Sequence, residues 1–264
     1  MKSVFTIAAN TFRDAIRQKL IMLIALIAFA LVISSKYFLR LDLGHEQLRF
    51  VFDFGSGAIG FFGSIIAVVS TCQLFHSEID NKTIVTLLSK PVGIGGFTCG
   101  KLLGAAAVLA LFCAIIAAAT CAMLFYTQAS FGESAQRLSA GLATNYFGVA
   151  ACCFVQWIKL CAIASVAAAI CSFSRSLLFS VVVSFMCLAV SLMGAVTLGL
   201  GGDKSDFTKF VSTIFPDFQI FSTAEAFAFA PILPEAFFGA VGYGVVYAAA
   251  LCMLAIWSFS KREF

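Results

Sequence analysis

The residues best placed for chemistry lie in the stretch LSKPVGIGGFTCGKLLG, Leu88 to Gly104. Within it, Gly95-x-x-x-x-Gly100-Lys101 is one residue short of a phosphate-binding loop. In such a loop, backbone amides cradle the phosphates, the lysine reaches their oxygens and a following Ser or Thr hydroxyl holds magnesium. Here Leu102 occupies the hydroxyl's place. The upstream segment SEIDNKTIVTLLSKP is helical in pattern, not a buried strand, and a long apolar run follows. The pattern therefore predicts no nucleotide site in this chain. The glycines read more simply. Gly93, Gly95 and Gly96 form a turn after Pro91, and Gly100 with Gly104 forms a GxxxG that lets helices approach closely in lipid. Lys101 then falls at the membrane interface.

Three further groups bear on chemistry. Cys72 and His76 stand at helical i, i+4 spacing, but two ligands are too few for a metal centre. The ten cysteines lie almost entirely inside apolar runs, where a free thiol behaves as a small hydrophobe, and their spacing suggests no disulfide framework. Gln156 and Lys159 lie one turn apart within an apolar run and form a candidate intramembrane polar site. A charge at the bilayer centre costs about 2.5–3.5 kcal/mol. Lys159 is therefore expected to face the bundle interior or a dimer seam, with Gln156 and Ser165 as polar company. The alternative is a shifted span from which Lys159 snorkels to the interface.

The elements that must position these residues follow from composition. Of 264 residues, 61% are hydrophobic and only 11% charged, against about 25% charged in soluble domains. A soluble core cannot hide that much apolar surface, so the chain reads as an all-α integral membrane protein. A spanning helix needs about 20 apolar residues. Six runs qualify, at about 20–38, 55–75, 102–126, 146–171, 176–200 and 236–259, in a single domain covering 1–264. Ser34, Ser35 and Lys36 interrupt the first run early.

Residues 1–19 place Val4, Ala8, Phe12, Ala15 and Ile16 on one helical face and Asn10, Arg13, Asp14 and Arg17 on the other. This pattern predicts an amphipathic helix lying in the interface plane. With this end in the cytoplasm, ten basic residues lie in inner segments and six in outer ones, which favours both termini inside. The outer segment 202–235 is rich in Phe and divided by Pro216, Pro231 and Pro234. It is expected to form short helices that re-enter or rest on the membrane and cap the substrate route. In the inner loop, Ser77 can cap a helix over 77–90 that Pro91 stops, with Asp80 as capping-box acid. Ile79, Thr83, Ile84, Leu87 and Leu88 supply its apolar side. A short amphipathic helix between two spans is a handle for a partner.

The pattern SEIDNKTIVTLLSKPVGIGGFTCGKLLG resembles the cytoplasmic loop of type-2 ATP-binding-cassette (ABC) exporter permeases. That family carries an acidic residue, a Thr, a Leu-Leu pair, a Pro and a Gly-Lys, here Glu78, Thr83, Leu87-Leu88, Pro91 and Gly100-Lys101. AANTFRDAIRQK, IFPDFQIF and SFSKREF are also similar to the group, so the resemblance covers the whole chain. Lys82 stands where the family often has Gly, and the turn VGIGG carries fewer charged or aromatic residues than usual; both departures could alter partner choice. The resemblance implies six spans per permease in the inner (cytoplasmic) membrane. It implies a second permease, same or homologous, and two copies of a separate ATPase subunit holding ATP and magnesium. The 77–90 segment would be the coupling helix that docks on the ATPase, through Glu78, Ile79, Lys82, Thr83, Ile84, Leu87 and Leu88. No catalytic, cofactor or metal residue is expected in the chain itself, and its partners are protein and lipid, with no nucleic acid.

Three other readings stay open. An ion-driven transporter would favour acidic residues within spans, and the six runs hold no clear Asp or Glu. An embedded enzyme would need a catalytic constellation, yet the two histidines, His45 and His76, both lie near run ends. A structural membrane subunit is the third. Nothing in the sequence points to one transported substrate.

Overall fold

A computed structural model describes residues 2–38, 47–80, 94–130, 145–174, 176–199, 216–230 and 232–261. These residues form helices and their connections, with no strand among them. In chain order the helices are α1 (Lys2–Ile16), α2 (Lys19–Phe38), α3 (Gln47–Asp80), α4 (Ile94–Ser130), α5 (Tyr146–Phe173), α6 (Leu177–Gly199) and α7 (Pro234–Ser260). A 3₁₀ helix, Phe218–Ala228, lies between α6 and α7. Five of these, α2, α3, α4, α5 and α7, are long and apolar enough to cross a membrane. α6 is equally apolar but shorter over its described side chains, Leu177–Leu192. The chain is thus an all-helical, multi-pass membrane protein.

Several elements run beyond the apolar windows that mark them in the sequence. α3 begins at Gln47 and ends at Asp80, and α4 begins at Ile94. Gly95 and Gly96 are therefore helical, not a turn. Ser77 lies inside α3, and its hydroxyl bonds back to the Leu74 carbonyl at 3.3 Å. Ser77 therefore caps no new helix: Glu78, Ile79 and Asp80 continue α3, and the rest of the expected 77–90 helix lies outside the described residues. Ser34 likewise bonds back to Leu31, so α2 continues through Lys36 to Phe38.

Close approaches set the packing. Gly55 of α3 abuts Thr120 of α4, and Lys101 of α4 reaches Leu74 of α3, so the two helices are antiparallel. Trp157 Nε1 of α5 donates to the Ala106 carbonyl of α4 at 2.9 Å. α7 runs parallel to α5: Gly244 abuts Ile158, and one turn after another later Ser258 donates to the Ser172 carbonyl at 3.3 Å. The interior is built mainly from α3 and α5. α2 and α7 instead expose apolar side chains such as Met22, Leu26, Val246 and Met253, as lipid-facing helices do. The bundle has two ends. The basal end gathers the close of α3, α5 and α7 and the start of α4; the distal end carries the 3₁₀ helix.

α1 does not stand apart from the bundle. Its Val4, Ile7, Ala8 and Thr11 lie on Gly100 and Gly104 of α4. A Cβ at Gly100 would come within 2.9 Å of Ile7, and one at Gly104 within 2.6 Å of Thr11. The GxxxG thus seats the amphipathic helix, with Thr11 and Ala15 buried, while Ile16, placed on the apolar face by its spacing, is exposed.

Candidate functional site: two lysines within the helical bundle

Lys101 sits in the second turn of α4, facing α3. Its side chain is 1% exposed, and Nζ lies 3.0 Å from Glu78 Oε1. Nζ also donates to the Leu74 carbonyl. Phe75 and Phe97 flank it, with ring centroids 5.3 and 5.0 Å from the ammonium. Phe75 in turn stacks on Phe259 of α7 at 5.6 Å. A lone buried ammonium would be very costly; one carboxylate, one carbonyl and two ring faces supply what water would have given.

This geometry leaves little of the phosphate-loop likeness. A phosphate loop needs free backbone amides in a non-helical turn. Here Gly95 to Gly100 are helical, Gly100 is covered by α1, and the lysine is already engaged with a carboxylate. His76, one turn before Glu78's neighbour Asp80, is buried, and its Nδ1 bonds to the Cys72 carbonyl at 3.1 Å rather than standing with the Cys72 thiol as a ligand pair. Among the described residues no three His, Cys, Asp or Glu side chains converge on a possible metal position.

Of the residues expected to meet a partner, Glu78 is 29% exposed and turned toward Lys101. Ile79 is helical, and Lys82, Thr83, Ile84, Leu87 and Leu88 lie outside the described residues.

The second lysine, Lys159, lies on α5 in the distal half and is half-buried. Gln156, one turn earlier, is 2% exposed. Ser165, expected to keep Lys159 company, instead bonds to the Ala162 carbonyl at 2.6 Å and lines a separate apolar cavity with Cys99, Cys161 and Cys252. The polar company comes from Glu225 on the 3₁₀ helix. Gln156 Nε2 donates to Glu225 Oε1 at 3.4 Å, and Glu225 is the carboxylate whose charge acts on Lys159. No described carboxylate lies within ion-pair distance of Lys159. From α3, Ser56 and Asp53 also act on Glu225, and Asp53 pairs with Arg49 at 3.9 Å. Burial pushes the Glu225 carboxyl above its usual range; Asp53 adds to this, while Lys159 and Ser56 oppose it.

The 3₁₀ helix explains how Glu225 arrives there. Phe218, Phe221, Ala224 and Phe227 recur every three residues, the period of a 3₁₀ turn, and all four are buried. The helix is tied at both ends. The Asp217 amide donates to Tyr243 Oη at 2.9 Å, and Ser191 donates to the Pro216 carbonyl. The Asn145 amide donates to the Ala228 carbonyl at 3.0 Å, and Gly148 lies directly beneath the Phe227 carbonyl. Of the short helices expected over 202–235, this one lies among the described residues, and 202–215 lie outside them. Sequence reading missed Glu225; the period-three spacing around it was the available signal.

Comparison with models of known families, and with curated proteins, finds no match for this chain.

Proposed function

We propose that the chain is the membrane-spanning permease subunit of an ABC exporter, with six spans and both termini in the cytoplasm. It moves its substrate with ATP and magnesium handled by a separate ATPase, two permeases pairing with two ATPase subunits. The single observation that carries this reading is the basal tie. The inner loop leaves α3 and enters α4, and the ends of those helices are joined by Lys101, Glu78 and the flanking rings. A push on residues 81–93 therefore reaches α3 and α4 together, and α1 through Gly100 and Gly104. The engaged lysine also supports the view that the motor is encoded elsewhere.

The test is copurification from native membranes. The chain should bring down an ATPase subunit whose hydrolysis responds to the permease. Changing Ile84 and Leu87 together to Ala should release that ATPase or uncouple it, since truncated groove anchors cost about 2 kcal/mol or more, while the chain still inserts. An ATPase retained and fully coupled in that variant argues against docking through this loop.

One observation favours an ion-driven transporter as the second reading: Glu225 stands beside Gln156 and Lys159, supplying the acid that the six runs lack. Uptake or efflux driven by an imposed proton gradient without ATP would select it.

A further inference from the structure

We propose that Glu225 is a proton-binding residue whose protonated carboxyl pairs with Gln156 and fastens the 3₁₀ helix to α5. The inference stands apart from the transport reading and rests on hydrogen-bond complementarity. A primary carboxamide offers two donors and one acceptor oxygen. Gln156 spends one donor on Glu225 at 3.4 Å, a long bond. Its Oε1 is buried and has no partner among the described residues.

A carboxylate can only accept and cannot serve that oxygen. A carboxylic acid can. Once Glu225 takes a proton from water, forming one O–H bond and losing its negative charge, its O–H can donate to Gln156 Oε1. Gln156 Nε2 continues to donate to the other carboxyl oxygen. Acid and amide then exchange two hydrogen bonds in a ring, and the buried acceptor is satisfied.

The surroundings fit a group that titrates. On α3, Asp53 opposes a second negative charge nearby, with Arg49 moderating it, and Ser56 contacts the carboxyl. On α5, Lys159 favours the ionised form and Cys152 is the neighbouring thiol. On α7, Tyr243 is engaged by the Asp217 amide, and Tyr247 lies beside it. Among the described residues of α6, Cys187 is the titratable group. Burial raises the carboxyl's proton affinity above that of a free glutamate. The ties through Ser191 and Asn145 carry no titratable group, whereas the Asp217 carboxylate caps the start of the 3₁₀ helix by accepting from the Gln219 amide at 2.9 Å; Glu225 sets how firmly the middle is held.

The experiment is infrared difference spectroscopy of the full chain in lipid nanodiscs, titrated with pH. Of the protonated-carboxyl bands that appear on acidification, one component should be missing from Glu225→Gln. Gln156→Leu should lower its midpoint by about one pH unit, the tenfold in affinity that a hydrogen bond supplies. Lys159→Met should raise the midpoint and Asp53→Asn should lower it. Hydrogen exchange over 216–230, compared with Glu225→Gln at each pH, should show the wild-type segment loosening above the midpoint. A set of protonated-carboxyl bands unchanged in Glu225→Gln overturns the proposal. So does a midpoint indifferent to Gln156→Leu, which would make Lys159 the donor to Gln156.

Discussion

Lys101 and Lys159 pose the same physical problem and meet it differently. Each is a lysine on a spanning helix with a glutamate near it. Lys101 is closed: it is 1% exposed, with Glu78 at 3.0 Å, a carbonyl and two rings around the ammonium. Lys159 is open: it is half-buried, and Glu225 acts on it across a gap while Gln156 keeps an unused oxygen. A closed pair joins two helices into one body, because every way of separating them strands a charge. An open set has spare hydrogen-bonding capacity, so small changes in protonation can alter it. The basal end is tied across two helices, and the distal end keeps hydrogen-bonding capacity in reserve.

The largest effect expected from this contrast is on stability. Lys101→Met removes the ammonium that lies 3.0 Å from Glu78. Removing one member of a buried pair costs about 3–5 kcal/mol, here toward the lower figure because Glu78 is 29% exposed. Combining it with Glu78→Leu should recover most of the loss, since apolar replacement of a whole pair is often near neutral. Lys159→Met should cost far less. Thermal unfolding in detergent measures all three. Equal losses at Lys101 and Lys159 would erase the distinction between closed and open.

The next effect concerns the seat of Glu225. A Cβ at Gly148 would collide with the Phe227 carbonyl, a backbone atom that can yield only if the whole 3₁₀ helix shifts. Gly148→Ala should cost about 1–3 kcal/mol, as overpacking does. It should also abolish the Gln156–Glu225 contact. Gly57→Ala, which meets nothing within 4 Å, is the matched control. Hydrogen exchange over the 3₁₀ helix should rise in the first variant alone.

The two ends also differ in how far the sequence disclosed them. Apolar runs reveal where a chain crosses a membrane, because burial in lipid demands them. They do not reveal where a helix ends. Arg49, Asp53 and Glu78 fall outside the apolar windows yet lie inside α3, because once the backbone is committed each further turn needs only its own hydrogen bonds. Ser77 looked like a cap for the same reason: a hydroxyl can serve either an amide ahead or a carbonyl behind, and here it serves Leu74. Gly100 and Gly104 were legible as a close-approach motif, whereas the visitor, α1, was legible only as an amphipathic helix. That Lys101 meets Glu78, 23 positions earlier in the sequence, and that Glu225 meets Gln156 are tertiary facts. No local spacing encodes them.

A third expectation follows from the raised proton affinity of Glu225. Because the folded carboxyl holds its proton more tightly than an unfolded one, its contribution to stability is fully present below the unfolded value, about 4.3. That contribution is lost as pH rises through the folded one. The wild-type chain should therefore lose stability relative to Glu225→Gln as pH climbs through that window and run parallel to it above. Melting temperatures of the two chains at stepped pH measure the difference. A wild-type chain that instead gains stability relative to Glu225→Gln as pH rises through that window would reverse the sign and make Lys159 the dominant influence on Glu225.

The smallest effect sharpens the comparison by removing burial. Lys36, at the distal end of α2, donates to Tyr126 Oη at 3.0 Å and lies 4.3 Å from its ring centroid, so it shares Lys101's cation–ring contact. It is exposed, however, and water can replace either contact. Exposed ion and cation–ring contacts contribute little to stability, because water screens and replaces them. Lys36→Gln should shift the melting temperature only slightly, and added salt should shrink the shift further, whereas salt should leave the Lys101→Met penalty nearly unchanged. If Lys36→Gln cost as much as Lys101→Met, lysine charge at a helix end would matter more than burial, and the contrast between the closed and open sites would lose its physical basis.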